Sequence, residues 1–277
     1  MYKDFFQLIR LPGIFTAISN VLIGYFFVIY SSQSYPFPFL VITSGLLFSS
    51  GMIMNDYFDM KIDKIERPYR PLVSNKIKKK YALYIFSSLI ISANLFAILT
   101  SFESSLITIS MTGLIFLYNL KTKNYGIIGF FTLSSIRFLN VILGFTYVPL
   151  DYDLIYYAFP LLLFVFGISV LAKYETKEIS KKFVKINLLF TIFCIFAICI
   201  FLVLDFDIIS LGFLILFAII SLGLFSKSVN QKITIQLLSI IILDATIICI
   251  ISTWYYGAIV ILLILPSILI SRKLYVT

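Results

Sequence analysis

Ten long apolar stretches, separated by short polar segments, run the length of the chain: 11–30, 37–57, 81–100, 104–120, 126–148, 154–173, 185–204, 208–226, 233–252 and 254–270. Most approach the roughly 20 residues that a helix needs to cross a bilayer. They are long and continuous rather than short and alternating, which disfavours membrane strands. The pattern predicts nine or ten transmembrane helices, the count turning on the division near Trp254. Composition agrees: of 277 residues, 61% are hydrophobic and 13% charged, more apolar surface than a soluble chain of this length could hide. The expected fold is therefore an all-α, polytopic membrane protein, with residues 1–277 forming a single domain. The first apolar run is too long for a signal h-region and lacks a small-residue cleavage site, so it reads as a retained span.

Charge is distributed unevenly. Lys+Arg number 22 against 13 Asp+Glu. The bases cluster at Lys3/Arg10, Lys61 through Lys80, Lys121/Lys123, Lys173 through Lys185, Lys227/Lys232 and Arg272/Lys273. The intervening loops carry Glu103, Asp151, Asp153, Asp205 and Asp207 and almost no cations. With ten spans every basic loop falls on one side, which the positive-inside rule makes cytoplasmic together with both termini of a cell-membrane protein. The basic balance thus reflects topology and attraction to anionic membrane lipid, and no nucleic-acid partner is expected. There is no histidine, which removes imidazole bases and zinc-type sites, and Cys194, Cys199 and Cys249 lie within apolar runs as small hydrophobic residues.

Against this background one stretch is out of place: Asn55-Asp56-Tyr57-Phe58-Asp59-Met60-Lys61-Ile62-Asp63. Asn55, Asp59 and Asp63 recur every four residues and Asp56 lies three before Asp59, so one helical face can carry all four. They gather at the negative end of the helix dipole, where anions repel it and one another. A cation must offset that cost, and an oxygen-liganded Mg²⁺ carrying a diphosphate is the candidate.

Two polar loops follow spans that enter from outside. The first, about 61–80, holds Arg67-Pro68-Tyr69-Arg70-Pro71, whose prolines stop the helix and stiffen the turn. Arg67 and Arg70 either anchor this loop on lipid headgroups or reach back over the aspartates to a diphosphate, for which a planar guanidinium is suited. The second reads Lys173-Tyr174-Glu175-Thr176-Lys177-Glu178. Glu175 and Glu178 share a face, as an ordinary solvated helix end or as a second metal-binding arm opposite the aspartates. Three or four spans follow each loop, which suggests two parallel half-bundles around a central cavity with both loops at its mouth.

Charges within spans need a reason. Arg137 and Asp244 each lie about eleven residues into a span that enters from the cytoplasm, roughly 16 Å deep. They read as a buried ion pair welding two helices, or as cavity groups that orient an acceptor. Asn140, near Arg137 on the same face, suits either reading. Asn20, in the first span, more often bonds a neighbouring helix than a ligand. Tyr118 and Lys121 close the fourth span on the cytoplasmic side, where Lys121 snorkels to headgroups or faces an anion at the mouth.

These residues together resemble the UbiA superfamily of intramembrane prenyltransferases. Asn55-Asp56-x-x-Asp59-x-x-x-Asp63 is similar to its first Asp-rich motif, and Glu66-Arg67-Pro68-x-Arg70-Pro71-Leu72-x-Ser74 to the segment after it. Arg10-Leu11-Pro12 with Thr16, Asn20 and Gly24 resembles the first helix, and Tyr118-Asn119-Leu120-Lys121 with Gly126 and Gly129 the junction of the fourth and fifth. The second motif departs from the usual aspartate cluster. With Arg137-Phe138-Leu139-Asn140 it is more similar to the branch of UbiA-like proteins found in ebo-type gene clusters. The resemblance implies a nine-helix fold and Mg²⁺-dependent transfer of a prenyl group from a polyprenyl diphosphate to a lipophilic or aromatic acceptor. It implies that Asp56, Asp59 and Asp63 ligate one Mg²⁺, and that Glu175, with Glu178, holds a second. Arg67, Arg70, Lys121 and Lys173 would take up phosphate charge, while Asn20, Asn55, Tyr118, Arg137, Asn140 and Asp244 would contact substrate. The rival reading is a transporter or lipid carrier on the same scaffold, which the crowded aspartates and the lack of paired broken helices disfavour.

Overall fold

The computed structural model describes residues 2–173, 181–204, 206–223, 226 and 228–275, and among them every regular element is helical. A short helix α1 (Tyr2–Leu8) precedes α2 (Leu11–Ser32) and α3 (Phe39–Phe58), and α4 (Met60–Glu66) follows the aspartate motif. Next come α5 (Lys79–Ile98), α6 (Phe102–Leu120), a 3₁₀ turn at Thr122–Asn124 and α7 (Ile127–Phe145). A second 3₁₀ turn, Tyr152–Ala158, leads into α8 (Phe159–Ala172). The remainder is α9 (Lys181–Leu204), α10 (Ile208–Ser221), α11 (Val229–Ile251), α12 (Trp254–Ile261) and α13 (Ile264–Tyr275). Each apolar stretch of the sequence thus has its helix, and Ser252–Thr253 separates the last two runs.

Eight of these segments are long and apolar enough to cross a membrane, α12 and α13 counting as one. The polar-flecked α6 and the 14-residue α10 occupy the other two stretches. The last span is interrupted after Ile261, because Pro266 has no N–H to offer the carbonyl of Leu262 and the chain closes shorter bonds there instead.

α2, α7 and α11 form the centre, α2 touching both of the others. The α2–α7 contact brings backbone against backbone. A Cβ on Gly24 would fall 2.1 Å from the carbonyl carbon of Gly144, and one on Gly144 would fall 2.2 Å from the oxygen of Val21. In a bilayer, where lipid competes for apolar contact, close approach at small residues is what holds helices together. Three polar side chains, Asn20, Arg137 and Asn140, face one another across this seam.

At the charged end of the bundle the first polar loop is pinned by Leu72, which is fully buried with Leu8, Ile53, Ala82 and Phe86. That apolar peg holds the Arg67–Pro71 turn over the end of α3. Gln7 bonds the carbonyl of Leu274 at 2.7 Å, so both ends of the chain meet on this face.

Candidate functional site

The aspartates leave α3 as it ends. α3 stops at Phe58, yet the i→i−4 bonds continue from Asp59 to Asn55, Asp63 to Asp59 and Arg67 to Asp63, at 2.9, 2.9 and 2.8 Å. The four-residue spacing therefore survives the bend into α4. Asp56 and Asp63, two turns apart, are buried on the same side, while Asp59 lies at the edge.

Protein cations hold all three carboxylates. Arg70 Nη1 donates to Asp56 Oδ1 at 2.9 Å and to Asp63 Oδ2 at 2.5 Å, so Arg70 lies over the aspartates and bonds the carboxylates themselves. Arg10 Nη2 donates to the same Asp56 oxygen at 3.0 Å. Lys123 Nζ bonds Asp59 Oδ1. Arg67 is half-buried in the same turn as Arg70. Burial pushes the Asp63 carboxyl above its ordinary range; Arg70 opposes the shift, and the charges of Asp56 and Asp59 add to it.

Two of these cations were not among the expected site residues. Arg10 reads as a membrane-edge base, but its backbone is left-handed (φ 49°), a strained conformation that ends α1 and turns its side chain onto Asp56. Lys123 takes the position expected of Lys121. The 3₁₀ turn after α6 leaves Lys121 exposed and aims the lysine two residues later at Asp59. The Arg10-Leu11-Pro12 spacing was the available signal for the first; nothing in the lysine pair distinguished the second.

Beneath the motif lies a cavity of about 190 Å³ between α2, α3, α6 and α7. Arg10, Asn55, Tyr118 and Asn119 line it at the motif end, and Arg137 and Asn140 supply polar groups farther in. Apolar walls come from Leu47, Phe48, Met52, Met111, Ile115, Leu133 and Ile136. The Arg137 guanidinium sits over the Phe48 ring, 5.1 Å from its centre. Described walls thus belong to the first half of the chain and α7. From the second half Lys173 reaches the mouth, its Nζ 3.5 Å from the carbonyl of Lys123. Glu175 and Glu178, the expected second arm, lie outside the described residues.

The intramembrane charges are arranged differently from the expected ion pair. Arg137 and Asp244 make no direct bridge; Asn20 stands between them, accepting from Arg137 Nη1 at 3.1 Å and donating to Asp244 Oδ2 at 2.7 Å. Asn20 and Asp244 are wholly buried and do not line the cavity, so neither contacts a ligand there directly, whereas Arg137 and Asn140 do line it.

The donor set at the mouth is oxygen alone, three carboxylates and the Asn55 amide, which is Mg²⁺ chemistry. Among the described residues no three acidic side chains converge into a metal cage, because Arg10, Arg70 and Lys123 stand among them. Such residues fit a Mg²⁺ that keeps phosphate oxygens in its shell, held by one or two carboxylates, better than an ion enclosed by protein.

Comparison with known proteins places this geometry. The model of the UbiA prenyltransferase family matches residues 17–232. The digeranylgeranylglyceryl phosphate synthase of Saccharolobus solfataricus is 29% identical over 147 residues, 51% of either chain. The one from Methanobrevibacter smithii is 29% identical over 186 residues, 64% of this chain and 63% of its own. The match therefore spans about half the length of the first of these curated relatives. In fold, a UbiA homologue from Archaeoglobus fulgidus bound to GPP and Mg²⁺ superposes with a TM-score of 0.71 over 93% of this chain and 99% of its own, at 11% identity. A structure of digeranylgeranylglyceryl phosphate synthase gives 0.66 over 92% and 100%, at 21% identity.

Proposed function

The chain belongs to the UbiA prenyltransferase family, and from that premise we propose that it transfers a prenyl group from a polyprenyl diphosphate to a lipophilic acceptor within the membrane, with Mg²⁺. The observation that carries this reading is the meeting of three carboxylates and three cations at the mouth of an apolar cavity. A diphosphate with its metal supplies both signs of charge and so exchanges partners with each side of that cluster.

One or two of Asp56, Asp59 and Asp63 would hold the metal directly, the rest of the three standing beside it, with Glu175 and Glu178 as candidates for a second site. When bound, Mg²⁺ neutralises the diphosphate oxygens as the leaving group departs. Arg10, Arg70 and Lys123, released from their carboxylates, would turn their donors to phosphate oxygens, with Arg67 and Lys173 close to the same opening. Asn55 and Tyr118 would orient the first atoms of the donor. The allylic C–O bond breaks with its electron pair going to diphosphate, and the acceptor oxygen closes the new bond, its proton leaving to the departed diphosphate. Phe48, Met52, Ile115 and Ile136 keep water from the allylic cation.

For the acceptor, the names of the curated relatives favour a glyceryl phosphate that already carries one isoprenyl chain. They weigh more than the ebo-type resemblance, part of which rests on residues outside the described ones. Arg137, the cation deepest in the cavity, with Asn140 beside it, suits the anionic end of such a lipid.

Purified protein is expected to bind geranyl diphosphate only with Mg²⁺, and Asp59→Ala to abolish that binding. Unchanged affinity in the variant removes the aspartates from the mechanism. Release of diphosphate on incubation with donor and acceptor separates an enzyme from a carrier, which would bind without turnover.

A further inference from the structure

The buried polar groups at half-depth divide into those that reach the cavity and those that stand behind it. Arg137 is in front: it lines the cavity and lies over Phe48. Behind it, Asn20 is fully buried, and behind Asn20 stands Asp244, fully buried on α11. The chain of contacts is continuous. Asp244 Oδ2 accepts from Ser19 Oγ at 2.6 Å and Asn20 Nδ2 at 2.7 Å. Asn20 Oδ1 accepts from Arg137 Nη1 at 3.1 Å and from Asn140 Nδ2 at 3.5 Å. Arg137 Nη2 donates to Thr16 Oγ1 at 3.2 Å, whose own proton goes to the Gly13 carbonyl at 2.7 Å.

We propose that Asp244 and Asn20 are positioning residues that hold the Arg137 guanidinium at the cavity wall while leaving its remaining donors for the anionic end of the acceptor; this rests on the acceptor reading given above. The amide of Asn20 has one workable orientation. With a carboxylate on one side and a guanidinium on the other, the reverse orientation would set oxygen against oxygen and nitrogen against nitrogen. Asp244 therefore fixes which end of Asn20 faces Arg137.

The separation itself has a consequence. A direct Arg–Asp fork would take two parallel guanidinium donors and draw the side chain away from Phe48 toward α11. Interposing Asn20 leaves a counter-charge near enough to offset a cation in a low-dielectric core, and lets the guanidinium stay over Phe48 at the cavity wall, with one donor going to Asn20 and one to Thr16. Asp244 Oδ1 has no hydrogen-bond partner.

The test compares wild type with Asp244→Asn, Asn20→Asp and the double variant that combines them. The readouts are the dissociation constants for Mg²⁺–geranyl diphosphate and, separately, for geranylgeranylglyceryl phosphate, with acceptor KM and kcat where turnover is seen. Each single variant should weaken acceptor binding by about tenfold or more, the usual scale for one charged hydrogen bond, and leave donor affinity within about twofold. The double variant keeps the net charge but reverses the hydrogen bond between 20 and 244 and sets a carboxylate directly against Arg137, the fork described above, so acceptor affinity should stay about tenfold weakened while donor affinity is kept. Unchanged acceptor affinity in both singles overturns the proposal, as does a parallel loss of donor and acceptor affinity in them or full recovery of acceptor affinity in the double variant. Should the singles fail to fold, Thr16→Val keeps every charge and drops one anchor; it should weaken acceptor binding a few-fold, and an unchanged value overturns the proposal. A wild type that binds no donor sinks the transferase reading. One that binds donor but no glyceryl phosphate sinks the acceptor reading and this relay with it, whereas variants indistinguishable from a wild type that binds both ligands sink the relay alone.

Discussion

One nitrogen of Arg70 serves two carboxylates seven residues apart, and both carboxylates are buried. Removing it strands Asp63 without that partner and leaves Asp56 with Arg10. Arg70→Ala is therefore expected to destabilise the protein by about 3 kcal/mol, the cost of breaking a buried pair from one side, read as a lowered thermal midpoint in detergent. Arg70→Lys keeps the charge without the geometry and should fall between; a variant as stable as wild type would mean that the carboxylates had other partners. Asp63 adds a pH dependence. Its folded pKa is raised, so the folded chain holds this proton more tightly than the unfolded one. Stability from Asp63 is greatest in acid and is lost as pH rises through 3.8 toward the folded value. Ligand binding runs the other way, since a metal ligand must be deprotonated. Mg²⁺-dependent donor affinity, followed from pH 8 to about 5, should begin to fall above the ordinary carboxylate range, and Asp63→Asn should remove that component. An identical profile in the variant would assign the titration elsewhere. The four acidic and amide positions were legible because i+3 and i+4 spacing speaks directly about a helical face. Their partners were not: Arg10 depends on a left-handed backbone and Lys123 on a three-residue turn, and neither is written in spacing.

At the level of helices, the seam between α2 and α7 sets the register of Thr16, Asn20, Arg137 and Asn140 with respect to one another. Gly24 and Gly144 allow it, since either Cβ would overlap the facing backbone. Gly24→Ala is expected to lower the thermal midpoint and to weaken acceptor binding more than donor binding, because separating the seam displaces Arg137 from Asn20 while leaving the aspartate motif on α3 and α4. Gly113→Ala, at a helical position with nothing within 4 Å of the added carbon, should be neutral or stabilising by up to about 1 kcal/mol. Equal effects of the two changes would mean that the seam yields. Every apolar run was legible as a helix because run length alone decides that in a membrane protein. Which helices touch was less so. Arg137 and Asp244 match in depth, and depth suggested a direct pair; α2 passes between them, and only the packing reveals that Asn20 carries the contact. The pause at Ser252–Thr253 and the interruption before Pro266 follow from local chemistry that a hydropathy pattern averages away.

Across the whole molecule the two ends of the bundle differ in charge, and contacts between distant segments now tie each end together. At one end lie Arg10 on Asp56, Lys76 on Asp4, Lys123 on Asp59, Lys173 on the Lys123 carbonyl and Gln7 on Leu274. At the other, Tyr147 accepts the N–H of Leu40, and Ser101 bonds the Thr146 carbonyl, with Glu103, Asp151 and Asp153 nearby in sequence and Asp207 sharing a pocket with Leu154. If the positive-inside rule governs insertion, the aspartate motif and cavity mouth open to the cytoplasm, where a diphosphate donor is made available and the released diphosphate can leave. Single cysteines make this measurable in a Cys199→Ala background, because Cys199 is half-buried whereas Cys194 and Cys249 are buried and give little background. Tyr35→Cys and Tyr152→Cys, at exposed positions on the acidic end, should react with a membrane-impermeant thiol reagent added to intact cells. Tyr125→Cys, exposed beside Lys123 on the basic end, should react only after the membrane is opened. Labelling of Tyr125→Cys in sealed cells, with Tyr35→Cys protected, would invert the topology. The cavity would then receive its donor from the outer face, and the charge of the loops would have to be explained by the diphosphate they bind instead of by the direction of insertion.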